Sequence, residues 1–384
     1  MKKKILILIS HYLPGTKIGG PLTSIMNITT NLSDYFDFYI LTFDRDLGET
    51  IPYPEIVTNN WVKLDNCQVC YIRKNKTSLF QIFKHIRALN PDIIYVNSLF
   101  DPIFSISIVL AQKLNLMGDK KLIAAPRGEL YNEALNFKKW KKKIFMNAAK
   151  ICRLYKRVDW QATNEQERLL IIEKLKVEPE RIKVARIIPT KTLPLYYNTC
   201  EQKETGNLLN IVFLARISKD KNLPFALEVL SKVKSQVQYD IYGPIEDEYI
   251  WRKCITMISL LPQNIKVEYK GMLSHEIVKE TLSNYQLFFM PTFAENFGHS
   301  IAESLSVGTP VLISDNTPWK GLSEKGLGWD INLEEKEKFV EIIETWALTP
   351  IKIKNQLRIE RCEKAALILH DPLIIEENIK LFTI

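Results

Sequence analysis

Short apolar runs alternate with segments of helical periodicity from the start of the chain. The continuous apolar run at Lys4–Ser10 predicts a buried parallel strand. Apolar positions three and four residues apart predict a helix over Pro21–Leu32, and Phe38–Thr42 predicts the next strand. A strand–helix–strand unit of this kind predicts a parallel sheet with helices packed on its faces.

The same alternation continues along both halves of the chain. The first half adds predicted strands at Ile93–Asn97, Leu122–Ala125 and Gln161–Ala162, and helices near Ile103–Leu114 and at Glu165–Leu175. The second half adds strands at Asn210–Leu214, Tyr239–Tyr242, Ile265–Tyr269, Leu287–Met290 and Val311–Ser314, and helices at Pro224–Val233, Ser274–Ser283 and Gly298–Val307. We therefore predict an α/β fold with two Rossmann-like, doubly wound parallel sheets facing each other across a cleft.

Two domains fit a chain of 384 residues, and 46% hydrophobic with 25% charged residues is typical of a globular protein. A polar, proline-containing stretch separates the two alternating regions and predicts a linker. The predicted segments are an N-terminal domain at 1–190, the linker at 191–208, a C-terminal domain at 209–365, and a helical tail at 366–384 that could cross back to the N-terminal domain.

Charge is divided unevenly between the halves. Residues 1–190 carry 30 Lys and Arg against 18 Asp and Glu, a net +12, whereas residues 191–384 carry 22 against 26, a net −4. Either an anionic partner or a solvated basic surface explains this asymmetry. Six scattered cysteines favour a reducing compartment, and the Cys67–Cys70 pair has no second ligand pair to complete a zinc site. No apolar run is long enough to span a membrane, so we predict a cytoplasmic protein without a metal site or cofactor.

One strand–loop–helix segment of the second half carries two glutamates. The strand ends at Met290, the loop carries Glu295, and a helix beginning near Gly298 places Glu303 on its second turn. Backbone N–H groups of Asn296–Ser300 would point outward and form an anion site. Carboxylates accept pairs of hydrogen bonds from hydroxyls, so the glutamates suit a sugar or a ribose, although a solvated helix face would also explain Glu303.

Another strand of the same half leads into two cations. Asn210–Leu214 runs into Arg216, and Lys221 lies at the entry of the following helix. A diphosphate can be neutralised by Arg acting as a fork and Lys acting as a point charge. Charged loops are common on surfaces, but this element holds the same position relative to its strand as the glutamate element. We therefore predict that Arg216 and Lys221 bind phosphate.

These two elements resemble the signature of the family-4 retaining glycosyltransferases, which have the GT-B fold. Gly19–Gly20, after the first strand, resembles the glycine loop that such enzymes place over the donor phosphates. Three further segments resemble a bacterial branch of the family that builds surface polysaccharides: Ala125–Leu130, Asp315–Trp319 and Gly328–Trp329. The resemblance covers essentially the whole chain.

The resemblance implies an acceptor-binding N-terminal domain and a C-terminal domain that binds a UDP- or GDP-sugar. Glu303 would bind the ribose, Glu295 the donor sugar, and Arg216 with Lys221 the leaving diphosphate. Other donor and nucleotide contacts would come from Gly19, Gly20, Gly271, Met272, Asn296, Phe297 and Gly298. Many relatives carry a His on the acceptor side, where this chain has Arg127.

The reaction implied is retaining transfer to a saccharide or lipid-linked acceptor. The acceptor hydroxyl would attack from the leaving-group face and give its proton to a phosphate oxygen. Near the linker, Ile187–Lys191 replaces the usual Pro-Asn-Gly-Val, a departure from the family pattern. No Asp-x-Asp lies in a loop suited to a metal–diphosphate complex, so we expect metal-independent activity.

A lysine-rich segment at Phe137–Phe145 mixes five lysines with aromatic residues. It could lie on an anionic membrane and bring the enzyme to a lipid-linked acceptor. Alternatively, it is a solvated helix whose lysine stems cover apolar surface.

Two other functional classes remain open. An epimerase or phosphorylase of the same fold would also bind phosphate, but an epimerase needs acid–base groups, and among five histidines only His299 lies near the predicted site. A nucleic-acid-binding protein needs basic and aromatic residues interleaved, and the one dense basic cluster is Lys138–Lys143, so nucleic acid is not expected as a partner. The lack of Gly-x-Gly-x-x-Gly after any strand disfavours a dinucleotide dehydrogenase.

Overall fold

The computed structural model describes residues 2–15, 17–131, 134–135, 139–190 and 208–383. The chain divides into two compact units. The N-terminal unit comprises Met1–Ile188 and Pro372–Ile384, and the C-terminal unit comprises Pro189–Asp371. The chain therefore passes from the first unit to the second and returns. Apart from Leu208, the predicted linker lies outside the described residues.

The N-terminal unit is built on an eight-stranded sheet. Its strands are β1 (Lys3–Leu8), β2 (Phe36–Phe43), β3 (Trp61–Leu64), β4 (Cys67–Ile72), β5 (Ile93–Asn97), β6 (Lys121–Ala125), β7 (Asp159–Ala162) and β8 (Ile182–Val184). Their order is β3-β4-β2-β1-β5-β6-β7-β8, and β3 alone runs antiparallel to its neighbour. The helices of this unit before the crossing are α1 (Gly20–Leu32), α2 (Ser78–Leu89), α3 (Ser107–Lys113), α4 (Lys139–Ile151) and α5 (Glu165–Leu175).

Apolar layers cover both faces of this sheet. Because successive side chains of a strand point to opposite faces, Ile5 and Ile7 of β1 pack in one layer and Leu6 and Leu8 in the other. Cys67 and Cys70 likewise belong to opposite layers, so their thiols cannot bind the same metal ion. Burial raises the pKa of the Cys67 thiol to about 11 and that of Cys70 to about 12, which keeps both protonated.

The C-terminal unit has a six-stranded, wholly parallel sheet. Its strands are β9 (Leu208–Leu214), β10 (Gln236–Tyr242), β11 (Ile265–Gly271), β12 (Leu287–Met290), β13 (Val311–Ser314) and β14 (Gly328–Ile331), in the order β11-β10-β9-β12-β13-β14. Its helices are α6 (Leu223–Leu230), α7 (Glu248–Ser259), α8 (Val278–Ser283), α9 (His299–Ser306), α10 (Lys336–Leu348) and α11 (Ile351–Leu369). Since all strands are parallel, their carboxyl ends share one edge, the usual ligand edge of such sheets.

The last helix, α12 (Pro372–Thr383), belongs to the N-terminal unit. Its Phe382 is fully buried, with its ring centroid 5.7 Å from that of Phe36 and 5.6 Å from that of Tyr95. Its Glu377 carboxylate pairs with the Arg186 guanidinium at 2.7 Å. The tail thus completes the apolar layer on one face of the N-terminal sheet.

The predicted α/β fold class, with two Rossmann-like parallel sheets, is confirmed. The helix predicted near Ile103–Leu114 begins instead as a π-helical turn at Pro102–Ile106, which the Asp101 carboxylate caps through two backbone N–H groups. The strands β3, β4, β8 and β14 and the helices α2 and α7 were not predicted. Within the described ranges, no helix combines the length and the apolar character needed to cross a membrane.

Candidate functional site

The carboxyl edge of the C-terminal sheet gathers most of the predicted donor residues. The strand β9 leads into Arg216 and Lys221, and its neighbour β12 leads into Glu295 and then α9. Gly271 ends β11, and Met272 follows it with half of its surface exposed. The two elements singled out in the sequence therefore meet at one sheet edge.

Lys221 and Glu295 form a buried ion pair. The Lys221 ammonium donates to Glu295 Oε2 at 2.7 Å and lies 3.3 Å from Asp220 Oδ2, with only 11% of the lysine side chain exposed. Burial alone would lower the pKa of Lys221, but the carboxylates of Glu295 and Asp220 outweigh it and raise this pKa. The ammonium therefore stays charged at any physiological pH.

Backbone and side-chain hydrogen bonds fix the loop after β9 against the loop after β12. The Asp220 carbonyl accepts from Thr292 Oγ1 at 2.9 Å and from the Phe293 amide at 2.7 Å. Asn222 Nδ2–H donates to the Pro291 carbonyl at 3.0 Å. The position of the Lys221 ammonium is thus set by the backbone as well as by its ion pair.

Arg216 lies at the rim of this edge. Its guanidinium pairs with the Glu246 carboxylate, and 37% of the arginine and 46% of the glutamate side chain are exposed. Exposed pairs contribute about 0–1 kcal/mol, so a diphosphate can displace Glu246 at little cost. Arg216 can therefore bind an anionic ligand more readily than an arginine held in a buried ion pair could.

Glu303 lies on the buried side of α9 with 7% of its surface exposed. Its Oε1 atom is 3.9 Å from His275 Nδ1. Burial raises the pKa of Glu303 to about 7, an effect that the charge of Lys279 opposes. Burial also lowers the pKa of His275 and of Lys279. The Glu303 side chain is thus buried and poorly solvated, and it does not lie on the solvated helix face considered from the sequence.

Among the described residues, no side chain caps the amino end of α9 through a hydrogen bond. Gly298 precedes the helix with φ +81°, and a Cβ there would lie 2.7 Å from Ile301 Cδ1. The first intrahelical bond runs from the Ala302 amide to the Gly298 carbonyl at 3.0 Å. Phe297 packs on Trp319 with ring centroids 5.7 Å apart, and Trp319 Nε1–H donates to the Phe297 carbonyl. This packing fixes the turn whose amides could hold an anion.

Two glycines shape the same edge from β10 and β11. Gly271 has φ +80°, with open space where a Cβ would stand. Gly243 has φ +134°, and a Cβ there would lie 1.9 Å from the Ala215 carbonyl oxygen. The close approach of the loops after β9 and β10 therefore requires glycine at position 243.

The remaining predicted residues lie in the N-terminal unit. Gly19 has φ +66°, nothing lies within 4 Å of the place of its Cβ, and Gly20 begins α1. Arg127 follows β6 and donates to Tyr95 OH at 2.6 Å and to Asn97 Oδ1 at 3.0 Å. These residues lie at the carboxyl ends of β1 and β6, in the unit that lacks Lys221 and Glu295.

Sequence reasoning missed five residues of the C-terminal site: Asp220, Gly243, Glu246, His275 and Lys279. The first four follow a strand end, which is the signal that could have found them, whereas Lys279 lies on α8. In the part of the chain that the structure describes, no cluster of three or more His, Cys, Asp or Glu side chains could hold a metal ion.

Comparison with known proteins places these features in context. Residues 201–361 match the family described as Glycosyl transferases group 1. No curated protein sequence matches the chain.

Several solved structures share the fold over nearly the whole chain. HepE from Anabaena, in complex with UDP and glucose, has a TM-score of 0.70 at 15% identity, with 99% of each chain covered. WaaG, a glycosyltransferase involved in lipopolysaccharide biosynthesis, has a TM-score of 0.69 at 13% identity, with 99% of each chain covered. A TarM variant from S. aureus, in complex with Fondaparinux, alpha-GlcNAc-glycerol and UDP, has a TM-score of 0.68 at 14% identity, with 100% of each chain covered.

At these identities the likeness shows the fold, which is GT-B. The family match covers the C-terminal sheet and its ligand edge. Together, these findings support a glycosyltransferase of the GT-B fold.

Proposed function

We propose that the protein is a retaining glycosyltransferase that moves a sugar from a UDP- or GDP-sugar to a glycan or lipid-linked acceptor in surface polysaccharide biosynthesis. The observation that carries the proposal is the buried Lys221–Glu295 pair beside the amino end of α9 and the exposed Arg216. The family match over residues 201–361 and the UDP and glucose bound by the similar HepE support the same donor class.

The C-terminal unit supplies the charge that the leaving diphosphate needs. Lys221 contributes a fixed ammonium, Arg216 a two-pronged donor after it leaves Glu246, and the first turn of α9 contributes backbone amides. Glu295, oriented by Lys221, accepts from hydroxyls of the donor sugar, and Glu303 accepts from the ribose hydroxyls. Stabilising the leaving group in this way lowers the barrier to departure without a metal ion.

The transfer breaks the bond between the anomeric carbon and the phosphate oxygen and forms a bond between that carbon and the acceptor oxygen. The acceptor hydroxyl proton passes to the departing phosphate oxygen, which becomes basic as the bond to the anomeric carbon breaks. Attack from that face retains the anomeric configuration, and no protein nucleophile is required.

We expect UDP or GDP and one of its sugars to raise the melting temperature in a thermal-shift screen made in EDTA, because Lys221 and Arg216 can balance the diphosphate. Transfer to a saccharide should then proceed in EDTA with the product in the donor's anomeric configuration, as read by NMR. A strict requirement for Mn²⁺ or an inverted product would contradict this mechanism. Turnover of the nucleotide-sugar without any acceptor would favour the epimerase alternative.

Nucleotide binding should strengthen as the pH rises through about 7. Glu303 must be ionised to accept hydrogen bonds from two ribose hydroxyls, and burial raises its pKa to about 7. The affinity for the donor nucleotide-sugar, whose diphosphate does not titrate in this range, should therefore rise about tenfold between about pH 6 and pH 8. Calorimetric titration of the wild type and of Glu303→Gln tests this, and an equally steep rise in the variant would exclude Glu303 as the titrating group.

The lysine-rich helix α4 is proposed to contact an anionic membrane. Trp140, Ile144 and Ile151 lie on one face of the helix and are 65%, 60% and 84% exposed, although the Lys141 ammonium lies over the Trp140 ring, 5.4 Å from its centroid. Lys141 and Lys143 beside them are also exposed, whereas Lys138 lies outside the described residues. An apolar stripe flanked by cations is suited to the headgroup region of an anionic leaflet. Contact there would bring a cytoplasmic enzyme to a lipid-linked acceptor.

We expect the protein to sediment with liposomes that contain anionic lipid and not with neutral liposomes. Trp140→Ser with Ile144→Ser should lower the bound fraction at least fivefold, because burial of the two side chains in the interface is lost. Leu348→Ser, which removes an equally exposed apolar side chain from the C-terminal unit, is the matched control and should bind normally. Equal sedimentation with both kinds of liposome would remove the membrane contact from the proposal.

A further inference from the structure

A polar cluster lies at the carboxyl edge of the N-terminal sheet, where β5 and β6 end. Arg127 donates from Nη2 to Tyr95 OH at 2.6 Å and from Nε to Asn97 Oδ1 at 3.0 Å. Tyr95 donates to Gln161 Oε1 at 2.5 Å, and Gln161 Nε2–H donates to the Ala185 carbonyl at 2.8 Å. A chain of neutral groups therefore holds the guanidinium in one orientation.

Two hydrogen-bond donors of this cluster lack an acceptor. Nη1 of Arg127 and Nδ2 of Asn97 are buried and form no hydrogen bond with any residue that the structure describes. Turning the Asn97 amide does not solve this, because its oxygen must accept from Arg127 Nε–H, a group that can only donate. Asn97 is 8% exposed, so bulk solvent does not satisfy it. Buried donors without partners are rare in folded proteins and indicate a bound water, ion or ligand group.

The side-chain partners of Arg127 are neutral. Among the described residues its guanidinium donates to Tyr95 and Asn97, and no carboxylate forms an ion pair with it. Burial raises the pKa of Tyr95, and this effect exceeds the opposing effect of the nearby Arg127. The phenol therefore remains neutral. The buried Glu167 carboxylate is engaged elsewhere, by the Gly128 amide at 2.6 Å and by the amide and hydroxyl of Thr163 at 2.8 and 2.7 Å.

The backbone at Arg127 is strained as well. Its φ is +52°, in the left-handed region that favours glycine. Such strain persists where the surroundings impose it, and it is common at binding sites. The end of β6 thus carries an arginine in a strained backbone conformation that glycine would adopt without strain.

We propose that Arg127 and Asn97 bind a carboxylate or phosphate group carried by the acceptor, separate from the diphosphate of the donor. The inference rests on the proposed function, since it names the class of its acceptor. An anionic group supplies both the oxygen acceptors and the charge that the cluster lacks. The two negative charges of the donor diphosphate are already matched by the two cations assigned to it, Arg216 and Lys221 of the C-terminal unit. The acceptor is therefore an acidic saccharide or a phosphate-bearing one.

The test compares three probes that differ only at one carbon: methyl glucoside, methyl glucuronide and methyl glucoside 6-phosphate. Binding to the full-length protein is measured by NMR titration with nucleoside diphosphate saturating. We expect one of the two anionic probes to bind at least tenfold more tightly than the neutral probe, and its identity tells carboxylate from phosphate. Arg127→Gln should abolish this preference. Asn97→Asp should do the same, because it places a negative charge beside the guanidinium.

Arg157→Gln is the matched control, since it removes an exposed arginine from the same unit and should keep the preference. Nucleoside diphosphate binding reports separately on the C-terminal unit, so its absence in the wild type would count against the proposed function and not against this cluster alone. Equal binding of all three probes, or a preference that survives in folded Arg127→Gln, would overturn the acceptor site. A tenfold loss of nucleoside diphosphate affinity in Arg127→Gln would also overturn it, because the anion would then be the donor diphosphate. A preference for nucleotide-glucuronate over nucleotide-glucose that is lost in Arg127→Gln would overturn it in favour of the donor sugar.

Discussion

Replacing Lys221 with Ala is expected to lower kcat for sugar transfer by about 30- to 1,000-fold. The ammonium is buried, charged and fixed by two loops, so we expect its proposed contact with the leaving diphosphate to contribute about 2–4 kcal/mol in the transition state. Water cannot replace it, because only 11% of the side chain is exposed. Steady-state kinetics with the donor identified in the thermal-shift screen would measure the effect.

Lys219→Ala is the matched control for this change. Lys219 lies two residues away on the same segment, carries the same charge and is exposed, so its removal should change kcat less than twofold. Removing the Lys221 ammonium also leaves Glu295 and Asp220 without their buried partner, which costs stability. Retained binding of the nucleoside alone, through Glu303, would show that the variant is folded. A folded Lys221→Ala enzyme with near-normal kcat would refute the diphosphate assignment.

Arg216→Ala should lose at least tenfold in transfer, but with little loss of stability. Its pair with Glu246 is exposed on both sides and contributes little to folding. The two substitutions are therefore expected to differ in effect. Lys221→Ala should lower both the transfer rate and the stability, whereas Arg216→Ala should lower the transfer rate alone. Denaturant unfolding beside the kinetics would show this difference.

Ending the chain at Asp371 is expected to unfold the N-terminal unit. The deletion removes the buried side chains of Ile374, Leu381 and Phe382 from the sheet layer, together with the Glu377–Arg186 pair. Truncation of one buried phenylalanine costs about 3–5 kcal/mol. Because a folded domain is stable by only about 5–15 kcal/mol, the loss of all three exceeds what the unit can tolerate.

Limited proteolysis followed by mass spectrometry would locate the damage. Cleavage should appear throughout residues 2–188, whereas the C-terminal unit and its nucleotide-induced thermal shift should persist. Phe382→Ala is a milder form of the same test, and Leu373→Ala, at a position 55% exposed on the same helix, is its control. Protease resistance of residues 2–188 in the shortened chain would show that α12 is dispensable.

Most of the fold could be predicted because buried parallel strands are continuous apolar runs. Ile93–Asn97 and Leu287–Met290 were predicted with the bounds that the structure has, since every residue of both is buried. The strand β3 was missed because it is an exposed antiparallel edge whose inner residues, Val62 and Lys63, show no buried run. Its neighbour β4 was missed because the exposed Gln68 interrupts its apolar pattern, although both of its cysteines are buried.

The site could be predicted only in part, for a different reason. Strand ends indicate which residues reach the ligand edge, and on this basis the sequence predicts Arg216, Lys221 and Glu295 at the same edge. Strand ends do not indicate which charges pair. Lys221 pairs with Glu295, and Arg216 pairs with Glu246. This choice depends on side-chain directions that only the folded loops determine.

The return of the chain through α12 has a consequence for how the protein is made. A ribosome releases residues in order, so the whole C-terminal unit emerges before the segment that finishes the N-terminal one. Until then, the surface around Phe36 and Tyr95, which Phe382 later covers, stays bare in the nascent protein. The N-terminal unit can therefore be completed only after the C-terminal unit has been synthesised, and a chain that stalls or is released before α12 would expose an aromatic surface that chaperones can recognise.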